Sequence, residues 1–204
     1  MSRAASGLES AFRRTHDLLK RSRTGHLFVG GLAVMVAAEP RMTRDVDLIV
    51  FITKKRLPGF LRLAANKGFS VDERKAYAEA IGRGACSIGW RGVPIDLILA
   101  STDLEDSAWK RRRRCRIFGR TVNIPSNEDL ILLKLIPGRP KDLLDVHGIV
   151  KSAGPALDRS YLRSWAEKLC DRAEDMRLMR LLEETGAIRG ARRTGRSIRR
   201  VTTT

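Results

Sequence analysis

Cysteine is scarce in this chain of 204 residues: Cys86, Cys115 and Cys170 are odd in number and widely separated. No C-x-x-C pair and no Cys/His spacing suited to zinc occurs, so a disulfide framework and a zinc module are both excluded, and the thiols read as reduced and structural. His16, His26 and His147 show no metal-ligand spacing either. The chain lacks an apolar run of roughly eighteen residues or more, and its first residues hold no apolar signal core. The expectation is a cytoplasmic protein with no membrane span. Neither G-x-G-x-x-G nor G-x-x-x-x-G-K-[ST] is present, which sets aside a Rossmann or P-loop site. Acidic residues are in deficit, with 23 Asp and Glu against 40 Lys and Arg, a net charge of +17 and a pI near 10.9. Such a surplus suits a polyanionic partner, because phosphate neutralisation and counterion release favour a basic surface, and nucleic acid is the first expectation.

What is present centres on Phe28-Val29-Gly30-Gly31, a short apolar segment, and then Arg41-Met42-Thr43-Arg44-Asp45-Val46-Asp47-Leu48-Ile49-Val50. A glycine pair at the end of an apolar strand lets the backbone approach a phosphate, since neither residue has a Cβ in the way. A helix starting directly after it aims free N–H groups at whatever lies above the turn. Asp45 and Asp47 are two apart on a strand, so both carboxylates share one face while Val46, Leu48 and Val50 take the other. Two adjacent anions call for a cation, and a hard divalent ion with oxygen ligands, Mg²⁺ carrying nucleotide phosphates, meets that need.

A third carboxylate, Asp96, interrupts the apolar strand Pro94-Ile95-Asp96-Leu97-Ile98-Leu99. An unpaired charge there costs several kcal/mol. On the residues alone its partner is an arginine, of which the chain has many.

Around these residues the pattern predicts an amphipathic helix over 8–23, a strand at 26–29, a helix over 32–39, and a helix over 54–67 interrupted at Pro58-Gly59. Two hairpins follow, 85–100 turning at Arg91-Gly92 and 116–124 turning at Gly119. Ser126 or Asn127 caps a helix that breaks at Pro137-Gly138, and another begins near Pro140. Two further amphipathic helices lie between 157 and 184, with Tyr161, Leu162, Trp165, Leu169, Met176, Leu178, Met179, Leu181 and Leu182 as core. The run Lys110 to Arg116 is the densest basic stretch, and Arg111, Arg112, Arg113 and Arg114 are candidate RNA contacts beside the cleft. Aromatics near it are limited to Trp109 and Phe118, which gives little support for base stacking. Beyond Gly186 the chain is rich in Arg, Gly, Ser and Thr, the composition of a disordered tail that drapes on nucleic acid.

The glycine pair, the helix, Arg41, Thr43 and the Asp45-Val46-Asp47 triplet together resemble the nucleotidyltransferase superfamily, in particular its AbiEii-like toxin branch. The resemblance implies an α+β fold, a mixed sheet flanked by helices with a C-terminal helical segment. It divides the chain into a core over 1–125, a helical segment over 126–186 and a basic tail over 187–204. It further implies that Gly30, Gly31, Thr43 and Arg44 bind the nucleotide. Asp45, Asp47 and Asp96 would be the catalytic metal ligands for two Mg²⁺ ions. The series Glu128-Asp129-Leu130, Lys134, then Arg139-Pro140-Lys141-Asp142-Leu143-Leu144-Asp145 is similar to the helices that follow the core in that family. On that similarity Lys134 would contact nucleotide phosphates and Asp142 would support the site. An interhelical ion-pair network among Arg139, Lys141, Asp142 and Asp145 is the equal alternative.

The implied activity moves an NMP from an NTP such as ATP to an acceptor hydroxyl, with pyrophosphate leaving. The charge turns the expectation of an acceptor to RNA, a tRNA 3′ end, with a toxin role and a cognate antitoxin protein as further expectations. A protein hydroxyl and a small molecule such as an aminoglycoside are alternative acceptors, and an inactive nucleic-acid-binding protein of the same fold is a third possibility.

Overall fold

A four-stranded mixed sheet holds the centre of the molecule, in a computed structural model that describes residues 3–39 and 41–188. Its strands are β1 (Gly25–Phe28), β2 (Val46–Phe51), β3 (Ala85–Trp90) and β4 (Val93–Leu99), in the spatial order β1-β2-β4-β3. β1 runs antiparallel to β2, β2 parallel to β4, and β4 antiparallel to β3. The β3–β4 hairpin turns on Arg91 and Gly92, whose φ values of 49° and 82° are those of a tight two-residue turn.

One face of the sheet is sealed and the other is partly open. On β2, Val46, Leu48 and Val50 are buried in the main core, as are Ile95 and Leu97 on β4. Helix α1 (Arg3–Arg21) covers this face. It places Leu8, Ala11, Phe12, Thr15, Leu18 and Leu19 inward at spacings of three and four, with the Phe12 ring 4.7 Å from that of Phe28. The opposite face carries Asp47, Ile49, Asp96 and Ile98, register partners in pairs across β2 and β4. Near the β1 edge that face is covered by Leu27, Val29, Ile49 and Ala108, with Phe51 and Trp109 packed alongside.

The remaining elements are α2 (Gly30–Ala37), α3 (Leu57–Asn66), α4 (Glu73–Arg83), α5 (Asp103–Lys110), the hairpin of β5 (Arg113–Ile117) and β6 (Arg120–Ile124), α6 (Asn127–Leu135), α7 (Pro140–Ala153), α8 (Arg159–Ala173) and α9 (Arg177–Glu184). Ser126 caps α6 through its side chain, which accepts from the Asp129 N–H. Among the described residues no helix is long and apolar enough to cross a membrane. Cys86, Cys115 and Cys170 are unpaired.

The structure differs from the sequence expectation in four places. Pro58 does not interrupt a helix over 54–67 but sits in the first turn of α3, where its missing N–H costs nothing. Helices α4 and α5 are not among the helices that the pattern predicts. In α4 only Ala76 and Ala80 are buried, so no large apolar stripe marks it. α5 did carry a signal: Thr102 and Glu105 form a reciprocal capping box. Met176, expected in the core, is 57% exposed, because it stands just before α9 instead of within it. Ala187 and Ile188 are buried against the helical segment. The expectation of a disordered basic tail falls otherwise on residues 189–204, which lie outside the described residues.

Candidate active site

The chain leaves β1 at Val29, whose N–H donates to the Asp47 carbonyl at 2.9 Å, and turns at once into α2. Gly30 has φ +57°, and a Cβ there would lie 1.7 Å from the Asp47 Oδ2. No side chain larger than hydrogen fits between the turn and the carboxylate. Gly31 serves the next contact, since a Cβ on it would stand 2.4 Å from the Thr43 hydroxyl oxygen. That hydroxyl donates to Asp45 Oδ1 at 2.6 Å and fixes the carboxylate ahead of β2. Val29 precedes α2 and offers no side-chain cap, but the Gly31 N–H of the first turn donates to the Asp47 carboxylate, which ties the start of the helix to the cleft.

Asp96 is the register partner of Asp47 on the adjacent parallel strand. Paired residues on neighbouring strands point to the same face, so Asp47 and Asp96 share one, and with Asp45, just ahead of β2, they line one cleft of about 670 Å³. Among the described residues none of the three has an ion pair. Burial pushes the Asp47 carboxyl up to about 6, the charges of Asp45 and Asp96 add to the rise, and Lys134 and the Gly31 N–H oppose it.

The cleft wall opposite comes from α6, α7 and the loop between them, which supply Leu133, Lys134, Ile136, Arg139, Lys141 and Asp142. The buried Lys134 ammonium lies 3.0 Å from Asp142 and 2.9 Å from Asp145. Arg41 grips Asp145 with two donors at 2.5 and 2.7 Å, and Arg139 reaches Asp142 at 3.2 Å. Burial alone would raise the Asp145 carboxyl, but the hydrogen bonds from Arg41 and Lys134 outweigh it and hold it below the usual range. The network therefore exists, built from Lys134 and Arg41 in addition to Arg139, Asp142 and Asp145. Lys141 is not part of it: this exposed residue lines the cleft with its ammonium unpaired among the described residues.

The nucleotide-site residues expected from the sequence thus fall into two groups. Gly30, Asp45, Asp47, Asp96, Lys134 and Asp142 line the cleft, and Gly31 and Thr43 support it from behind. Arg44 is exposed and does not line the cleft. The basic run is also elsewhere. Arg111 is bound to Glu128 at 3.0 Å and Asp129 at 3.3 Å and lies over the Tyr161 ring, Arg112 rests on Trp109, and Arg113 donates to Asn127. None of Arg111 to Arg114 lines the carboxylate cleft. Sequence reasoning gave Arg41 and Asp145 no joint role, and nothing local could have, because the pair spans 104 positions.

The donor set is oxygen only, which matches Mg²⁺ in kind. Among the described residues no three Asp, Glu, His or Cys side chains are drawn together closely enough to hold an ion as they stand. The Asp47 carboxylate, crowded by two like charges with no cation of its own, is the group that a divalent ion would relieve.

No family model matches the chain, and no curated protein matches it in sequence. Similarity appears in three dimensions. The solution structure of the antibiotic-resistance factor ANT(2'')-Ia matches with a TM-score of 0.59 at 12% identity, over 83% of this chain and 96% of that one. The crystal structure of the lincosamide antibiotic adenylyltransferase LnuA, lincomycin-bound, matches with a TM-score of 0.50 at 12% identity, over 68% of this chain and 93% of that one. The fold is the nucleotidyltransferase fold. In this nucleotidyltransferase fold, the glycine turn and the β2–β4 pair meet at the cleft that Asp45, Asp47 and Asp96 face.

Proposed function

We propose that the protein transfers an NMP from a nucleoside triphosphate to an acceptor hydroxyl, with RNA as the acceptor. The observation that carries this reading is the set Asp45, Asp47 and Asp96 at the Gly30-Gly31 turn, three carboxylates on one cleft, none of them in an ion pair among the described residues. The turn admits the triphosphate against bare backbone, and the N-terminus of α2 adds partial positive charge. Lys134, held by Asp142 and Asp145, and the unpaired Lys141 supply cationic charge toward the phosphates. Mg²⁺ held by the three aspartates would supply Lewis-acid charge at the α-phosphate and at the departing pyrophosphate. The acceptor oxygen forms a bond to the α-phosphorus as the bond to the bridging oxygen breaks, and Asp96 takes the acceptor's proton.

The net charge of +17 favours RNA, with a tRNA 3′ end as the proposed acceptor. A toxin held in check by an antitoxin protein is part of the same proposal, resting on the resemblance of the glycine and aspartate motif to the AbiEii-like branch.

A small-molecule acceptor is the second reading, and one observation favours it. The cleft is lined by six carboxylates against four Lys and Arg, with Ile49, Ile98, Leu104 and Ile136 between them, a surface suited to a cationic, partly apolar molecule. The two similar structures are named for antibiotics. Incubation with each α-labelled NTP and Mg²⁺, with total tRNA in one arm and an aminoglycoside or lincosamide in the other, separates the readings. Label on tRNA supports the first, and label on the antibiotic supports the second. No label in either arm, while Asp47→Asn behaves as the wild type, removes the proposed activity.

A further inference from the structure

The surplus positive charge has a second concave site. A cleft of about 530 Å³ opens at the β1 edge of the sheet, where the end of α1, strand β1, the end of α5 and the β5–β6 hairpin meet. Four cations, Lys20, Lys110, Arg112 and Arg114, line it together with His16 and His26, and no Asp or Glu does. Its composition is the reverse of the carboxylate cleft. The alternation of β1 sends His26 to the opposite face of the strand from Val29, which lines the carboxylate cleft.

Each cation is available in a different way. Lys20, Lys110 and Arg114 are exposed, and among the described residues their side chains have no hydrogen bond or ion pair. Arg112 is already positioned: its guanidinium lies 4.1 Å from the Trp109 ring centre and donates once to the Trp109 carbonyl at 2.7 Å. His16 is only 6% exposed, and its Nδ1 is buried without a hydrogen-bond partner, the nearest acidic oxygen being that of Asp17 at 3.5 Å. Asp17 is itself shared with Arg120 at 3.4 Å. Burial chiefly, and then the charges of His16 and Lys20, hold the His26 pKa below its usual value. An exposed basic face is ordinarily just solvated, but four cations converging on one concavity repel each other without a counter-charge.

The repeat along β5 says what form the counter-charge takes. Arg114 and Arg116 are two apart on a strand and both exposed, so they present cations on one side at a spacing of about 6.6 Å, Arg114 in the cleft and Arg116 paired in register with Thr121 of its lining. A compact anion uses one or two of these charges, whereas a linear polyanion uses them all. We propose that this cleft binds the phosphodiester backbone of an RNA strand and presents that strand around the β1 edge to the carboxylate cleft. The choice of RNA rests on the acceptor proposed above, and the cleft itself rests on its own geometry.

The test is fluorescence anisotropy of a labelled single-stranded oligoribonucleotide over a salt series, with the full chain. The variant pair Lys20→Glu/Arg114→Glu is compared with a control pair, Arg74→Glu/Lys75→Glu, exposed on α4 at the β3 side of the sheet. All four positions are at the surface, and matching circular dichroism and melting curves verify that both variants fold. The cleft pair is expected to lose tenfold or more in affinity near 0.1 M salt, and to shallow the log–log salt slope by roughly 0.7 per lost contact, about 1.4 in all. The control pair is expected to lose less than about threefold. Equal losses in both pairs, or an unchanged slope in the cleft pair, overturn the proposal. RNA bound through the cleft with no label transferred to it leaves the cleft standing and removes RNA as acceptor. Transfer to RNA that the cleft pair does not slow does the opposite.

Discussion

Asp96 stands directly across from Asp47 on the neighbouring parallel strand, carboxylate beside carboxylate, with no arginine or lysine in ion-pair contact with either among the described residues. This one register contact concentrates negative charge where the Gly30 turn is closest.

Asp47→Asn should abolish transfer while making the metal-free protein more stable at neutral pH. The folded-state pKa of Asp47 is raised from 3.8 to about 6. The stabilisation from its protonated form is therefore fully present below about 3.8 and lost as pH rises through about 6, a span worth up to about 3 kcal/mol. Melting curves of wild type and variant, without metal, should diverge as pH rises from 4 to 7, the wild type falling behind. His26 contributes equally to both proteins and drops out of the difference. Parallel curves across that range would show that Asp47 is not the strained group.

Gly30→Ala should fail for steric reasons. The new Cβ would be placed 1.7 Å from Asp47 Oδ2 on a backbone with φ +57°, and the left-handed conformation alone costs about 1–2 kcal/mol. A fall in Tm of several degrees and a loss of activity on the order of 100-fold, from displacement of the carboxylate, are expected in calorimetry and in the labelled-transfer assay. A variant with wild-type kinetics would mean that the turn does not hold the nucleotide.

Asp96→Asn separates chemistry from binding. Because Asp96 takes the acceptor's proton, kcat should fall by about 10²–10⁴, while titration calorimetry with NTP and Mg²⁺ gives an affinity within a few-fold of wild type. Unchanged kcat would leave Asp96 with no part in the reaction.

Lys134→Met should be the most destabilising of the four, because it leaves Asp142 and Asp145 buried with Arg139 and Arg41 as their remaining cations. Breaking a buried pair on one side costs about 3–5 kcal/mol, and the lower end applies here since each carboxylate keeps a partner. Lys134→Met combined with Asp142→Asn should be less destabilised than the two changes summed, which urea titration of the four proteins measures. Additive losses would show that the lysine and the carboxylate are not coupled.

Much of this was legible from residue order because it depends on neighbours two to four positions apart. The glycine pair, the placement of Asp47 on a strand with Asp45 just ahead of it, the two hairpin turns, and the Ser126 cap are local consequences of backbone geometry. Helix α5 carries an equally local signal in its Thr102–Glu105 box, whereas α4 buries only two alanines and offers little pattern.

What the sequence determined by itself is which segments form strands and helices and which side chains each one offers, since periodicity and capping act within a turn or a pleat. Only the tertiary structure decided that Asp47 meets Asp96, that Arg41 reaches Asp145 across 104 positions, and that the basic run leaves the carboxylates to line a cleft of its own. Those outcomes depend on strand register and on how helices dock, which are set by burial summed over the whole core and by no stretch of residues alone.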